Sequence, residues 1–170
     1  MMLAPQEDWT RDIKSYDLSI DLEALTGTAR IVLADADSEG ASFEIGDLTI
    51  TSVSDESGPL LFEAVPGTAP NPQQLNIGVP NVTGDTTLTI EYSFVAHENF
   101  DGWMASSGLS FLWPYFCGNM FPCKSDTTDG ASFTLDFTGL PQDLTAVFPT
   151  SIPADSPSYM PAIAIGDYTK

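Results

Sequence analysis

From Tyr16 onward the chain alternates apolar and polar residues, with Tyr16, Leu18, Ile20 and Leu22 set against Asp17, Ser19, Asp21 and Glu23. A period of two sends successive side chains to opposite faces, so this run reads as a strand with one dry side and one wet side. A turn at Leu25, Thr26 and Gly27 leads to Ala29, Ile31 and Leu33, and the acidic turn 35–40 leads to Phe43 and Ile45. Three strands so close together in sequence predict a meander. Leu48, Ile50 and Val53 make a further strand, broken at Ser57, Gly58 and Pro59 before the short apolar piece Leu60, Leu61 and Phe62. A proline-rich loop at 65–72 precedes Leu75, Ile77 and Val79, and 87–94 alternates most cleanly of all. Strands at this spacing, separated by Gly, Pro, Asn and Asp and with no long 3.6-residue periodicity, predict an all-β fold, a mostly antiparallel β-sandwich. Its inward faces are expected from Tyr16, Leu18, Ile20, Leu88, Ile90, Tyr92, Phe133 and Leu135. Residues 1–170 are expected to be one domain, with 1–12 a polar lead-in anchored by Trp9.

The stretch 111–135 stands apart. It brings together Phe111, Trp113, Tyr115, Phe116 and Phe121, both cysteines and two prolines, and then passes into the alternation Phe133, Leu135 and Phe137. The aromatic cluster reads either as inter-sheet core or as a recognition surface. Cys117 and Cys123 are either a disulfide closing a short loop or two buried thiols, and they are too few for an all-thiolate zinc site. Beyond the strand at 131–138 lie a turn at Gly139, Leu140 and Pro141, the apolar Leu144, Ala146 and Phe148, a Pro/Ser-rich loop at 149–157 and a last apolar segment at 159–168.

Charge narrows the partners. With 24 acidic residues against 5 basic ones, the surface repels nucleic acid and anionic membranes, whose phosphates need Lys and Arg. No apolar run reaches the roughly 20 residues of a membrane span, and the first residues carry neither a basic nor an apolar signal region. The expectation is a soluble protein, cytoplasmic, or periplasmic or secreted with its signal removed.

Chemistry-bearing motifs are incomplete. His97 and Glu98 start a His-Glu-x-x-His pattern, but position 101 is Asp, so His97 reads as a solvated loop histidine. Asp35, Asp37, Glu39 and Gly40 copy half of a calcium loop whose twelfth position, Gly46, cannot ligate, and an acidic turn between two strands explains the same residues without an ion. Asn81, Val82 and Thr83 fit a glycosylation acceptor. One histidine without a signature supports no nucleophilic triad. The residues therefore assign no catalytic, cofactor-binding or metal-ligating position, and no enzyme activity, to this chain alone.

Phe121, Pro122 and Cys123, followed ten residues later by Phe133, resemble the Phe-Pro-Cys-x-Asp-x-Pro-x-x-Lys-Ala-x-Phe run of the N-terminal domain of aminopeptidase N-like zinc metallopeptidases, which include the leukotriene hydrolase. Ser158, Tyr159, Met160, Ala162, Gly166, Asp167 and Tyr168 resemble the family's Ser-Tyr-Leu-x-Ala-x-x-x-Gly-Asp-Phe, and the first two strands resemble its opening. Ser125, Thr127 and Gly130 depart from the motif's Asp, Pro and Lys, and Phe111, Leu112 and Trp113 occupy the neighbourhood from which the family sends Gln or Glu into its active site. The resemblance implies a saddle-like β-sandwich that carries no catalytic residue and packs on the catalytic domain of the same polypeptide. That missing domain would hold the zinc, and the two together would shape a cleft for peptide substrate. Phe111, Trp113, Tyr115 and Phe116 become the candidate interface or cleft-facing residues, at least partly exposed in the isolated chain. The competing reading is a free-standing binding or adhesion module that uses 111–116 as its ligand surface.

Overall fold

The alternating runs form strands because each has one apolar face to bury and β-branched or aromatic residues to fill it. In the computed structural model, which describes residues 2–80, 83–106, 108–110 and 116–168, they are β1 (Ile13–Asp21), β2 (Thr26–Leu33), β3 (Gly40–Gly46), β4 (Thr49–Asp55), β5 (Gly58–Pro59), β6 (Phe62–Val65), β7 (Gln73–Gly78), β8 (Thr86–Ser93), β9 (Trp103–Met104), β10 (Leu109–Ser110), β11 (Ala131–Thr138), β12 (Thr145–Val147), β13 (Ser151–Ser156) and β14 (Ala164–Gly166). Among the described residues there is no α-helix, and the helical content is one 3-10 turn, Cys117–Asn119. The fold is all-β.

Seven strands make the largest sheet, in the order β13-β11-β1-β2-β8-β4-β5. β3, β7 and β6 make a second sheet, and β12, β14, β10 and β9 a third, so the expected meander stops after β2: the chain crosses to another sheet at β3, and β8 takes the place beside β2. Pairing is antiparallel except between β1 and β11, which run parallel with Tyr16 opposite Phe133 and Leu18 opposite Leu135. Parallel neighbours need a long connection, and here most of the chain lies between them.

The eight residues expected to face inward are all buried. They share one apolar cluster with Phe43 and Ile45 of β3 and Leu75 and Ile77 of β7, so the large sheet and the three-stranded sheet close on a common core. Tyr16 stacks on Phe133 at 4.9 Å, and Phe121 meets both edge-on at 5.5 and 6.2 Å. Phe121 therefore belongs to the core, and it pins the start of the Pro122, Cys123 segment there.

Several local expectations change. The Pro/Ser-rich segment 149–157 is not a loop but contains β13, because an edge strand has one unpaired side where Pro153 withdraws no ladder hydrogen bond and Ile152 still fills a core position. The last apolar segment keeps strand form only over β14, Leu48 lies just outside β4, and the first turn falls at 22–25, where Leu25 takes φ 54°. The lead-in is anchored by more than the half-buried Trp9. Arg11 is 1% exposed, its guanidinium donating to Gly40 O at 3.2 Å and Ala34 O at 3.3 Å, while Gln6 bridges to Ile77. Lys124 is buried too, its ammonium donating to Arg11 O and to Asp129 at 2.6 Å. Two of the five cations thus lie inside, which leaves the surface more acidic than composition implies.

Candidate functional site

The loop that leaves the 3-10 turn is fixed from both sides. Phe116 precedes the turn, Met120 and Phe121 donate backbone hydrogen bonds to Cys117 O, and the chain then lies antiparallel to the end of β3. There Glu44 and Cys123 exchange backbone hydrogen bonds of 2.7 and 3.1 Å. Gly46 sits at φ +41°, and a Cβ there would stand 2.0 Å from Asn119 Oδ1, so the turn rests directly on the backbone of β3. Cys117 and Cys123 are joined in a disulfide with Cα atoms 6.1 Å apart, and both are fully buried.

Glu44 faces this loop. Its Oε1 accepts hydrogen bonds from Ser125 N at 3.2 Å and from Ser125 Oγ, while its buried Oε2 has no partner. Ser125, where the resembled motif carries Asp, is therefore a donor to a carboxylate, a role a second carboxylate could not fill.

His97 is not a solvated loop histidine. Its side chain is 14% exposed and lies between two carboxylates, Nδ1 at 2.8 Å from Asp101 and Nε2 at 3.1 Å from Asp47, although neither contact has hydrogen-bond alignment. Its backbone N–H donates to Trp103 O, and Asn119 Nδ2 donates 2.5 Å to Asp101 O. The β8–β9 connection, the β3–β4 turn and the disulfide loop thereby meet at one point. Sequence reading missed this junction because Asp47 arrives from fifty residues away.

Beside the junction runs an open groove of about 660 Å³, walled by Leu22, Trp103, Leu140, Pro141, Leu144 and Ile165. Trp103 is 4% exposed and its indole N–H has no acceptor. Leu144 and Val147 add exposed apolar surface along β12.

Of the residues singled out from the sequence, Phe116 is exposed at 37%. Phe111, Trp113 and Tyr115 lie outside the described residues, as do Asn81 and Val82 of the glycosylation pattern. No described helix is long and apolar enough to cross a membrane. Among the described residues, the one group of three candidate metal ligands is Glu44, Cys117 and Cys123, whose sulfurs are bonded to each other.

The fold so built is a three-sheet β-structure seen in longer zinc peptidases. The chain is similar to yeast LTA4 hydrolase in complex with bestatin, at 15% identity and a TM-score of 0.72, covering 99% of this chain and 31% of that one. It is similar to native yeast LTA4 hydrolase, at 17% identity and a TM-score of 0.73, covering 94% of this chain and 29% of that one. An M1 zinc metallopeptidase of Deinococcus radiodurans, an E323A mutant bound to a Tyr-Ser-Ala substrate, matches at 17% identity and a TM-score of 0.69, covering 92% of this chain and 42% of that one. No protein-family model matches the sequence, and no curated protein matches it significantly. At these identities the likeness is one of fold, and the chain spans less than half the length of the proteins it matches.

Proposed function

We propose that this chain is the non-catalytic N-terminal domain of a zinc aminopeptidase, packing on the catalytic domain of the same polypeptide and helping to shape its peptide-substrate cleft. The observation that carries this reading is the lopsided coverage, nearly all of this chain against 29–42% of the peptidases that share its fold. The missing remainder is where the zinc would sit. This chain's own histidine does not fit that role, since Asp101 stands where a second imidazole would be needed and both ring nitrogens already face carboxylates. Its contribution is to support and dock, with no catalytic step of its own.

In this reading the docking face includes the aromatic segment 111–116, as the sequence resemblance implies, together with the described groove walled by Trp103, Leu144 and Ile165. An interface between domains typically covers 600–1,500 Å² and is partly apolar. Phe116, Leu144 and Val147 offer exposed apolar surface of that kind on an otherwise acidic protein.

The test is the coding sequence downstream of Lys170, followed by expression of the longer chain. A His-Glu-x-x-His motif there, with zinc-dependent hydrolysis of an aminoacyl reporter by the longer chain and none by residues 1–170, supports the reading. A stop codon directly after Lys170 favours a free-standing binding or adhesion module instead.

A further inference from the structure

The disulfide loop holds the parts of a second arrangement. A carboxylate oxygen of Glu44 and the sulfurs of Cys117 and Cys123 all lie within 4.8 Å of one another, and both cysteines are 0% exposed. Glu44 is held in place by its paired backbone hydrogen bonds with Cys123, a directly opposed antiparallel pair whose side chains share one face. Ser125 occupies Oε1, which orients the carboxylate, and leaves Oε2 buried and unpartnered. A buried, unpartnered carboxylate oxygen is costly unless a cation or donor is brought to it. Two sulfurs and one carboxylate are a donor set for a borderline-soft divalent ion such as zinc.

We propose that reduction of the Cys117–Cys123 disulfide turns this spot into a divalent metal site, with the two thiolates and the Glu44 carboxylate as its protein ligands. A dithiol reductant supplies two electrons and two protons; the S–S bond breaks, two thiols form, and the reductant becomes a disulfide. The incoming ion then displaces the two thiol protons to solvent and forms two metal–sulfur bonds and one metal–oxygen bond. Water completes a tetrahedral set. Metal–sulfur bonds of about 2.3 Å require the sulfurs to separate to roughly 3.8 Å. Opening the site therefore requires the Cys117–Asn119 turn, which carries one of the two sulfurs, to shift relative to Cys123. The site is thus closed to metal when oxidised and open to it when reduced, and it does not depend on the peptidase reading.

The test uses the full 170-residue chain, reduced with a small dithiol, freed of it by gel filtration without oxygen, and titrated with Co²⁺ as the probe. The expected result is a thiolate-to-cobalt charge-transfer band that saturates at equimolar metal, bleaches when Zn²⁺ is added, and is absent from the oxidised chain. Cys117→Ser combined with Cys123→Ser should abolish the band. Glu44→Gln should keep the band but weaken Co²⁺ affinity by more than the roughly 10–100-fold that loss of an outer-shell partner produces. Glu44→Asp, with the charge kept and the reach shortened, gives the same reading if the glutamine variant does not fold. Absence of the band in a reduced chain that keeps its strand circular dichroism overturns the proposal. So does unchanged affinity in the Glu44 variants, or a reduced chain that unfolds and does not refold with Co²⁺.

Discussion

Gly27 lies directly opposite Tyr92 across β2 and β8, and a Cβ placed on Gly27 would come within 2.4 Å of the Tyr92 ring. The glycine is a packing requirement of the large sheet: the ring covers the space its missing side chain leaves. Gly27→Ala is therefore expected to destabilise by about 1–3 kcal/mol, the range for overpacking. Combining it with Tyr92→Leu should cost less than the sum of the two single variants, by about 0.5 kcal/mol or more, because the residues share one volume. Urea unfolding of the four proteins measures the difference, and strict additivity would show that the ring moves aside freely.

What could be read from the chain tracks what period two can report. β1, β8 and β11 carry their burial in the sequence itself, and Tyr16, Ile90 and Leu135 are where the alternation puts them. β13 was illegible because its Pro and Ser composition mimics a loop, and its pairing depends on β11, already in place at the sheet edge. Arg11 and His97 were illegible for a different reason. A charged or titratable side chain is buried only where distant groups meet it, here Gly40 O for Arg11 and Asp47 for His97. Glu44 combines both problems, since its alternation marks a wet side that the disulfide loop later covers.

The disulfide closes a loop between residues six apart in sequence. On the chain-entropy model such a loop contributes about 2 kcal/mol. Reducing it without added metal, or replacing Cys117 and Cys123 by Ser, is expected to lower Tm by about 4–8 °C for a chain of this size. Differential scanning calorimetry in the presence of a chelator checks this. A change below about 1 °C would mean that Phe121 and the Glu44 backbone pair hold the loop unaided.

Asp8 ties the start of the chain to the three-stranded sheet. Burial works to raise its pKa and is the largest influence, but hydrogen bonds from Ser38 and Thr10, with Lys124 nearby, together hold the carboxyl below its ordinary value of 3.8. A depressed native pKa contributes stability that is present above the unfolded value and lost as pH falls through the native one. Asp8→Ala should therefore destabilise by about 1 kcal/mol or less near neutrality, since the carboxylate's hydrogen bonds to Thr10 are exposed and screened by solvent. The gap from the parent chain should close as pH drops below the carboxylate range. A gap that is constant in acid would assign the effect to packing.

At the alkaline end, two of the described groups that link stability to pH are Tyr16 and Tyr92, exposed by only 2% each and with hydroxyls that lack a well-formed hydrogen bond. Burial pushes both phenols above their ordinary value of 10.0, aided at Tyr16 by Asp129, so the native state keeps protons that the unfolded chain releases. That retention leaves native stability intact below the unfolded tyrosine range and drains it as pH rises above about 10. Tyr92→Phe removes a hydroxyl with no partner and keeps the ring over Gly27. It should be neutral or stabilising near neutrality and should make the alkaline decline shallower. Phenolate absorbance followed against strand circular dichroism decides the point, because the native Tyr92 proton should leave only as the sheet unfolds. Ionisation of both buried tyrosines in a chain that keeps its strands would show that water reaches them, and the predicted link between the sheet and alkaline pH would fail.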